Sequence, residues 1–330
     1  MIRYRAFRNT DPPLLAELWS SQPPLRARVQ PMTVGLLEQK VFSKPYFDRL
    51  GLIVAEQDGR LVGFAHAGFG ANAEGSAIST ETGTTCMLMV GRHDKRAEIG
   101  QRLLLRAEQY LVSRGARRLM GGNVAPTNPF YVGLYGDNPS PGLLESNALV
   151  VQVFRDSGYQ PVEQHLVLER ALAGFRPPVD RLQMQLRRQY HVEVERDPPV
   201  RNWWEACTVG QTQRIRYRVV SRRGGEDCGT VAFWDLERIA TSRGLLHAVS
   251  VLQLEIPQAW RGRGLGAFLM GEALRRLHGA QPRPGEWAGI QVCTAQVGET
   301  NPAALALFGK LGFRQVDRGL VMMKPAEQRP

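Results

Sequence analysis

Apolar and polar positions along this 330-residue chain follow one another in short strand-like and helix-like patterns. Ile2–Phe7 reads as a strand, and Asp11-Pro12-Pro13 reads as a helix start with an N-capping residue and prolines in the first turn. The rest of the first half predicts strands at 52–56, 61–67, 86–90, 117–124 and 165–169 and helices at 99–112 and 148–157. This order indicates an α/β (α+β) fold, with a mixed, mostly antiparallel sheet flanked by helices.

The second half repeats the same plan after a Gly- and Pro-containing linker at 171–178. It predicts strands at 191–195, 214–221, 229–235, 246–256, 287–296 and 320–323, and helices at 179–189, around 203–204, at 265–278 and at 302–311. Two units of this size suit the usual length of a domain. We therefore expect an N-terminal domain at 1–172 and a C-terminal domain at 179–330.

Two sequence matches support an internal repeat. Glu145-Ser146-Asn147-Ala148 aligns with Glu299-Thr300-Asn301-Pro302 at an offset of 154 residues, which places Phe154 on Phe308. Lys95–Gly100 aligns with Arg261–Gly266 at an offset of 166, so the first half carries 166 − 154 = 12 extra residues between these matches, within 126–144. The chain is thus predicted to be a tandem repeat of one fold.

The glycine-rich stretch Arg261-Gly262-Arg263-Gly264-Leu265-Gly266 lies between a predicted strand and a predicted helix. Such a turn exposes backbone N–H groups at the positive end of the helix dipole, and both attract a diphosphate. A dinucleotide-binding fingerprint would place the third glycine elsewhere, and a Walker loop would need Lys followed by Ser or Thr. The diphosphate of coenzyme A fits this spacing better.

The pattern [Q/R]-x-x-G-x-[G/A], carried by Arg261, Gly264 and Gly266, resembles the GCN5-related N-acetyltransferase (GNAT) superfamily. Asn301 and the helix ending Gly312-Phe313 stand at the distance usual in that superfamily. The resemblance implies two tandem GNAT folds and acetyl-CoA as co-substrate, with no metal. It also implies acyl transfer to an amine of a small molecule or peptide, and a tandem arrangement that imitates a dimer and suits a monomer.

The same resemblance implies which residues of the second copy hold acetyl-CoA. Backbone groups around Leu254 and Ile256 would bind the pantetheine arm, and amides from Arg263 to Ala267 would bind the diphosphate. Asn301 would reach the pantetheine while also capping its helix. The expected cofactor-binding residues are Leu254, Ile256, Arg261, Gly262, Arg263, Gly264, Leu265, Gly266, Ala267, Asn301 and Phe308.

Glu255 is the candidate general base, because it lies on the strand at the expected reaction centre. The alternative is a solvent-facing strand residue, since alternation with Leu254 and Ile256 puts it on the opposite face. The superfamily often has tyrosine at the position of Phe308, to protonate the departing thiolate. Tyr217, His247 and Cys293 are substitutes for that acid, and a structural role is the alternative for each.

The two copies differ at the glycine loop. Glu98 stands at the position of Gly264, and Lys95 at that of Arg261. A carboxylate in a diphosphate cradle repels the ligand, so the first copy is expected to be degenerate and the second catalytic. The alternative is that Glu98 turns outward and leaves weak coenzyme A binding. The loop at 128–141 either lines a ligand pocket or is an ordered surface loop.

Composition limits the cellular compartment and the kind of partner that we expect. The chain is 43% hydrophobic and 22% charged, with no apolar run long enough to span a membrane. Four dispersed cysteines indicate a reducing, cytoplasmic setting, and the six histidines form no metal-ligand pattern. The net charge of +11 reads first as solvated surface arginine, then as preference for an acidic substrate, and last as nucleic-acid binding.

These observations favour an acetyl-CoA-dependent N-acetyltransferase whose C-terminal domain is catalytic. A coenzyme A-binding sensor or interaction protein without turnover is the first alternative, because the thiolate has no evident acid. A nucleic-acid binder is the second. The acceptor amine and the length of the acyl chain are not encoded in any residue pattern that we can read.

Overall fold

A computed structural model describes residues 1–325, except 24, 26, 27, 123, 126, 137, 138, 237–246 and 280–286. In the first half the elements are β1 (Arg3–Ala6), α1 (Pro12–Ser20), α2 (Val34–Leu37), β2 (Leu52–Gln57), β3 (Arg60–Ala71), β4 (Ile78–Val90), α3 (Arg96–Ser113), β5 (Arg118–Gly121), β6 (Leu143–Leu144), α4 (Ala148–Asp156) and β7 (Gln160–Ala171). In the second half they are α5 (Arg181–Gln189), β8 (Tyr190–Arg196), α6 (Trp203–Thr208), β9 (Arg214–Ser221), β10 (Asp227–Asp235), β11 (Ala248–Glu255), α7 (Leu265–His278), β12 (Val292–Gly298), α8 (Pro302–Lys310) and β13 (Arg314–Pro325).

These elements belong to two compact units. The first comprises Met1–His165, Val200–Gln211 and Asp317–Pro330, and the second comprises Leu166–Pro199 and Thr212–Val316. This division differs from the expected domains 1–172 and 179–330 at three segments. Residues 166–172 belong to the second unit, and two segments of the second half, 200–211 and 317–330, belong to the first.

Direct contacts explain why these two segments join the first unit. The last strand, β13, pairs antiparallel with β5, with Met322 opposite Gly121. In α6, the Trp204 ring lies 4.9 Å from the Tyr46 ring between centroids, and the Trp204 N–H donates to the Gly75 carbonyl at 3.0 Å. Backbone pairing and aromatic burial therefore hold both segments against the first sheet.

The sheet of the first unit has the strand order β1-β2-β3-β4-β5-β13. β1, β2, β3 and β4 pair antiparallel in succession, whereas β4 and β5 run parallel. Leu103, Leu104 and Leu111 of α3 are fully buried against this sheet. Their helical spacing is the apolar stripe that the sequence predicted for this segment.

The second unit repeats this plan with the order β8-β9-β10-β11-β12-β7. β8, β9, β10 and β11 pair antiparallel, and β11 and β12 are parallel. The apolar side of α7 fills the core, with Leu269, Leu274 and Leu277 fully buried. Each unit is thus a mixed, mostly antiparallel sheet flanked by helices, as predicted.

Both units carry a one-residue bulge at the same place of the repeat. In β4 the register shifts so that Cys86 is the extra residue, and in β11 Leu252 is the extra residue. These positions are 166 residues apart, the offset found for the glycine loop. Because a bulge bends its strand and redirects the residues that follow, it prepares the strand end where the site lies.

Candidate acyl-coenzyme A site

β11 separates from its parallel neighbour before either strand ends. The two strands pair at Ala248, Val249 and Ser250, opposite Val292, Cys293 and Thr294, and the pairing stops there. β11 continues to Glu255 and β12 to Gly298. The bulge at Leu252 accounts for the divergence, which leaves a cleft between the two strand ends.

The glycine loop closes one end of this cleft. After β11, a single helical turn, Gln258–Trp260, leads to Arg261, whose Nε donates a 2.9 Å hydrogen bond to the Ile256 carbonyl. Gly264 is the N-cap of α7 with φ of 80°. A side chain there would be strained, and its Cβ would lie 2.8 Å from Leu182 Cδ2. Glycine is therefore required at this position.

The N-terminus of α7 faces the same cleft. No side chain caps this end, and α7 runs for 14 residues to a last turn that carries Arg275, Arg276 and His278. The first-turn amides of a helix have no carbonyl partner within the helix, so those of Leu265–Ala267 are donors for an anion. The glycine loop of the second unit thus presents backbone donors to the cleft.

The resulting cavity has a volume of about 630 Å³. That size lies within the range typical of small-molecule and cofactor pockets. Its lining residues are Leu254, Glu255, Ile256, Trp260, Arg261, Gly262, Gly264, Leu265, Gly266, Ala267, Asn301, Ala303, Ala304, Ala306, Leu307 and Lys310. The structure thus brings together nine of the predicted cofactor residues, together with Glu255.

α8 forms the wall opposite the glycine loop. Asn301 caps this helix, with its side-chain oxygen accepting from the Ala304 N–H at 3.0 Å, so the capping role is filled. The next turns present alanines, which leave room in the cavity. Lys310 lies at the end of this wall, and its Nζ is 3.3 Å from the Asp180 carboxylate. Sequence reasoning missed this wall, although the run Pro302-Ala303-Ala304 was the available signal.

Two predicted cofactor residues lie elsewhere. Phe308 is only 3% exposed and packs edge-to-face on Phe313, with ring centroids 4.9 Å apart. It belongs to the core and does not line the cavity, so its assignment as a cofactor contact is corrected. Arg263 also lies outside the lining, because its guanidinium stacks over the Trp260 ring at 4.9 Å. Its charge still adds to the positive field near the loop.

Glu255 lies at the mouth of the cavity on the last residue of β11. Its side chain is exposed, and its Oε2 accepts a 3.2 Å hydrogen bond from Gln253 Nε2. The apolar surroundings expected for a general base are absent around it. Its position still allows it to accept a proton at the strand end.

The alternative acids do not line this cavity. Tyr217 and Cys293 are fully buried in the core, and burial raises the pKa of the Cys293 thiol. His247 is exposed next to the first residue of β11, at the opposite end of that strand. The structure therefore favours a structural role over an acid role for Tyr217, Cys293 and His247.

The first unit lacks the glycine loop. α3 begins at Arg96, whereas the counterpart of the α7 start, at the offset of 166, is Ile99. One extra helical turn therefore replaces the loop. Glu98 is half exposed in this turn and pairs with Arg102 at 3.2 Å, so it points outward instead of filling a cradle. The extra turn, not the Glu98 carboxylate, removes the glycine loop.

A smaller cleft of about 240 Å³ remains in the first unit, between the end of β4 and the start of α4. It lies at the place of the repeat where the second unit has its cavity, since Leu88–Val90 correspond to Leu254–Ile256. Gln22 and Arg28 are among the residues that line it. The sequence offered no signal for these two residues.

Two further properties concern the described part of the chain. No helix there is long and apolar enough to cross a membrane. No group of three or more histidine, cysteine, aspartate or glutamate side chains there is placed to hold a metal ion.

The family model of the acetyltransferase (GNAT) family matches residues 15–136, within the first unit. A comparison with curated proteins found no match. Among solved structures, a tandem GNAT protein from the clavulanic acid biosynthesis pathway is similar over 100% of both chains, with 15% identity and a TM-score of 0.64. A GCN5-related N-acetyltransferase from Sphaerobacter thermophilus has 14% identity and a TM-score of 0.59, over 99% of this chain and 96% of that one.

A third similar structure is the GCN5-related glucosamine N-acetyltransferase region of a fungal multi-domain β-N-acetylglucosaminidase. It has 14% identity and a TM-score of 0.68, and the match covers 98% of this chain and 38% of that one. At these identities the structures establish the fold, and the family model adds the sequence signature of the first unit. Residues 15–136 therefore match the acetyltransferase (GNAT) family, and the chain as a whole has the tandem GNAT fold.

Proposed function

We propose that this protein transfers an acetyl group from acetyl-CoA to an amine, and that its second unit holds acetyl-CoA. The observation that supports this most is the 630 Å³ cavity, which joins a diverging strand end to an uncapped helix N-terminus. A long ligand with an anionic diphosphate and a slim apolar arm matches that shape and polarity.

Each part of the cavity has a distinct task in this proposal. The amides of Leu265–Ala267 bind the diphosphate, and the positive charge of Arg261 adds to their field. The backbone of Leu254–Ile256 binds the pantetheine arm in the cleft that the departing β12 leaves. The Ile256 N–H donates to the oxygen of the acetyl carbonyl as it gains negative charge, an interaction worth on the order of 10²–10³ in rate.

Acetyl-CoA supplies the acetyl group as an activated thioester. The amine attacks the carbonyl carbon, a C–N bond forms, and the C–S bond breaks. Glu255 takes the proton that the amine loses, and its exposed position lets it exchange that proton with water. Phe308 has no proton to give and is buried, so water delivers the proton to the thiolate.

In the first unit, the extra turn of α3 and the smaller cleft weigh against a bound acetyl-CoA. The helix N-terminus there lies three residues upstream of its counterpart, a shift of about 4.5 Å along the axis. We propose that this unit does not bind acetyl-CoA.

The four cysteines are free and three are buried, which supports a reducing compartment.

A coenzyme A sensor without turnover is the second candidate, because Glu255 is exposed and Phe308 cannot act as an acid. An assay of thiol release from acetyl-CoA separates the two candidates. The acceptor panel should contain amino sugars, polyamines, amino acids and peptides. Turnover with one class, and a Glu255→Gln variant slowed by roughly 10²-fold or more at unchanged coenzyme A affinity, supports the transferase.

Tight coenzyme A binding without thiol release above background for the whole panel would favour the sensor. A Glu255→Gln variant with wild-type turnover would remove Glu255 from the mechanism but leave the transferase standing. Gln253→Ala is the matched control, since it removes the neighbour that hydrogen-bonds Glu255 and keeps the carboxylate.

A further inference from the structure

The small cleft of the first unit contains a buried arginine. Arg28 is 8% exposed, and its Nε has no hydrogen-bond partner. Its Nη1 makes one long contact, 3.4 Å, to the Pro23 carbonyl. Burial lowers the pKa of Arg28, and no carboxylate of the described residues forms an ion pair with it. A buried cation with this few partners is costly unless an anion accompanies it.

The position of Arg28 is fixed by the backbone around it. Arg28 and Tyr135 form an isolated antiparallel bridge, and the Val29 N–H donates to the Leu134 carbonyl at 3.1 Å. Tyr135 is itself anchored, because its hydroxyl accepts from the Leu144 N–H at 3.1 Å. The guanidinium therefore lines the cleft from a rigid support.

Other features of the cleft also suit an anion. Arg96 lines it and has a buried Nε without a partner. α4, nine residues long, begins at the cleft, and its N-cap residue Asn147 makes no side-chain capping bond. The N–H groups of Ala148 and Leu149 in the first turn of α4 are therefore additional donors, whereas that of Val150 donates to the Asn147 carbonyl. The carboxylate of Asp317 accepts hydrogen bonds from the N–H and the hydroxyl of Ser146, which lines the cleft.

The rest of the lining is partly apolar. Its described apolar residues are Pro23, Leu25, Leu88, Met89, Val90, Ala148, Leu149 and Val150, beside the polar Gln22, Ser146 and Asn147, and none of the described lining residues is acidic. The volume of about 240 Å³ equals that of roughly eight water molecules in the liquid. A ligand for this space is small, has an apolar body and carries one anionic group.

We propose that the cleft of the first unit binds a small organic carboxylate, with its carboxylate on Arg28 and Arg96 and its apolar body against the end of β4. A planar guanidinium matches a carboxylate in shape and donates two parallel hydrogen bonds to it. This site is separate from the acetyl-CoA cavity of the second unit and does not depend on that assignment.

Titration calorimetry of the full-length protein tests the proposal, with hexanoate as the probe and hexanamide as its neutral counterpart. Hexanoate should bind saturably and raise the Tm, and hexanamide should bind at least tenfold more weakly. Arg28→Met should weaken hexanoate binding by roughly ten- to a hundredfold. Arg155→Met, which removes an exposed arginine from α4, is the matched control and should bind as the wild type does.

Loss of the fold is not expected in Arg28→Met, because the substitution removes a buried charge without a counter-ion. Arg28→Lys provides a second variant, which keeps the charge and loses the bidentate geometry, and it should bind several-fold more weakly. Inorganic phosphate and coenzyme A are the competitors, and neither should displace hexanoate at equal concentration.

Absence of saturable hexanoate binding to the wild-type protein would overturn the proposal, whatever the variants do. Equal binding by Arg28→Met would remove Arg28 from the site and overturn it as well. Tighter binding of phosphate would show a bare oxyanion site, and displacement by coenzyme A would show a cofactor cleft. Either result contradicts a carboxylate site.

Discussion

The side chain of Arg261 is bonded to the strand that precedes it, through the 2.9 Å hydrogen bond from its Nε to the carbonyl oxygen of Ile256. This bond closes the turn 257–260 ahead of Gly262 and of Gly264, the N-cap of helix α7. The sequence pattern singles out arginine here as a source of charge for the diphosphate. The structure gives it a positioning role as well, because it holds the glycine loop against the end of β11.

Arg261→Met should therefore weaken coenzyme A binding by up to about tenfold, the value of one such hydrogen bond plus a lost charge. Its Tm should change little, because the residue is exposed. Arg263→Met removes an equal charge whose guanidinium stacks on Trp260 outside the cavity, and should have a smaller effect. Calorimetric titration measures both, and equal losses would mean that charge alone matters.

A tyrosine at position 308 should not improve the enzyme. The Phe308 ring is buried against Phe313, so the added hydroxyl would lie in the core and cost about 1–3 kcal/mol if it finds no partner. The Phe308→Tyr variant should therefore unfold at lower urea concentration, with turnover no higher than that of the wild type. A gain in turnover with unchanged stability would return this position to the catalytic site.

The stability of the first unit should depend on pH through His66. Burial lowers the pKa of His66 to about 3, whereas an unperturbed histidine titrates near 6.5. The unfolded chain thus takes up a proton that the folded protein refuses. The stability contributed by neutral His66 is fully present above pH 6.5 and is lost progressively as the pH falls towards 3.

Urea unfolding at pH 7, 6, 5 and 4 measures this effect. The free energy of unfolding of the wild-type protein should fall more steeply below pH 6.5 than that of His66→Gln, by up to about 1.4 kcal/mol per pH unit. The variant also loses the 2.9 Å contact between Nδ1 and the Tyr131 hydroxyl, so slopes are compared and not absolute stabilities. If the free energies of unfolding of the two proteins fell with the same slope, His66 would not be the source of the pH dependence.

Local patterns predicted much of the fold. The apolar run at 86–90 predicted the buried end of β4. The strand starts at Ile78, however, and the exposed polar residues of its first part show no alternation of apolar and polar positions that would predict a strand. The segment 320–323 was read correctly as a strand, yet its partner β5 lies about 200 residues upstream. A strand's own sequence encodes which face is buried and carries little information about which distant strand it joins.

In the candidate site, too, local sequence predicted some features and not others. The spacing of Arg261, Gly264 and Asn301 located the cavity, because backbone geometry at a helix start has strict residue requirements. Side-chain directions were less predictable. Phe308 faces the core, Arg263 stacks on Trp260 and Glu98 points outward, and each outcome depends on neighbours that the local pattern does not contain.

We propose that the second unit, and not the first, holds acetyl-CoA. Titration of coenzyme A into Ala267→Glu and Ala97→Glu tests it most directly, since Ala267 lines the large cavity and Ala97 is exposed in the first turn of α3. Glutamate in a first helical turn does not harm folding. Near the diphosphate, the new carboxylate at 267 should weaken binding at least roughly tenfold by repulsion. Ala97→Glu should bind as the wild type does; wild-type affinity in Ala267→Glu, or lost binding in Ala97→Glu, would contradict the account.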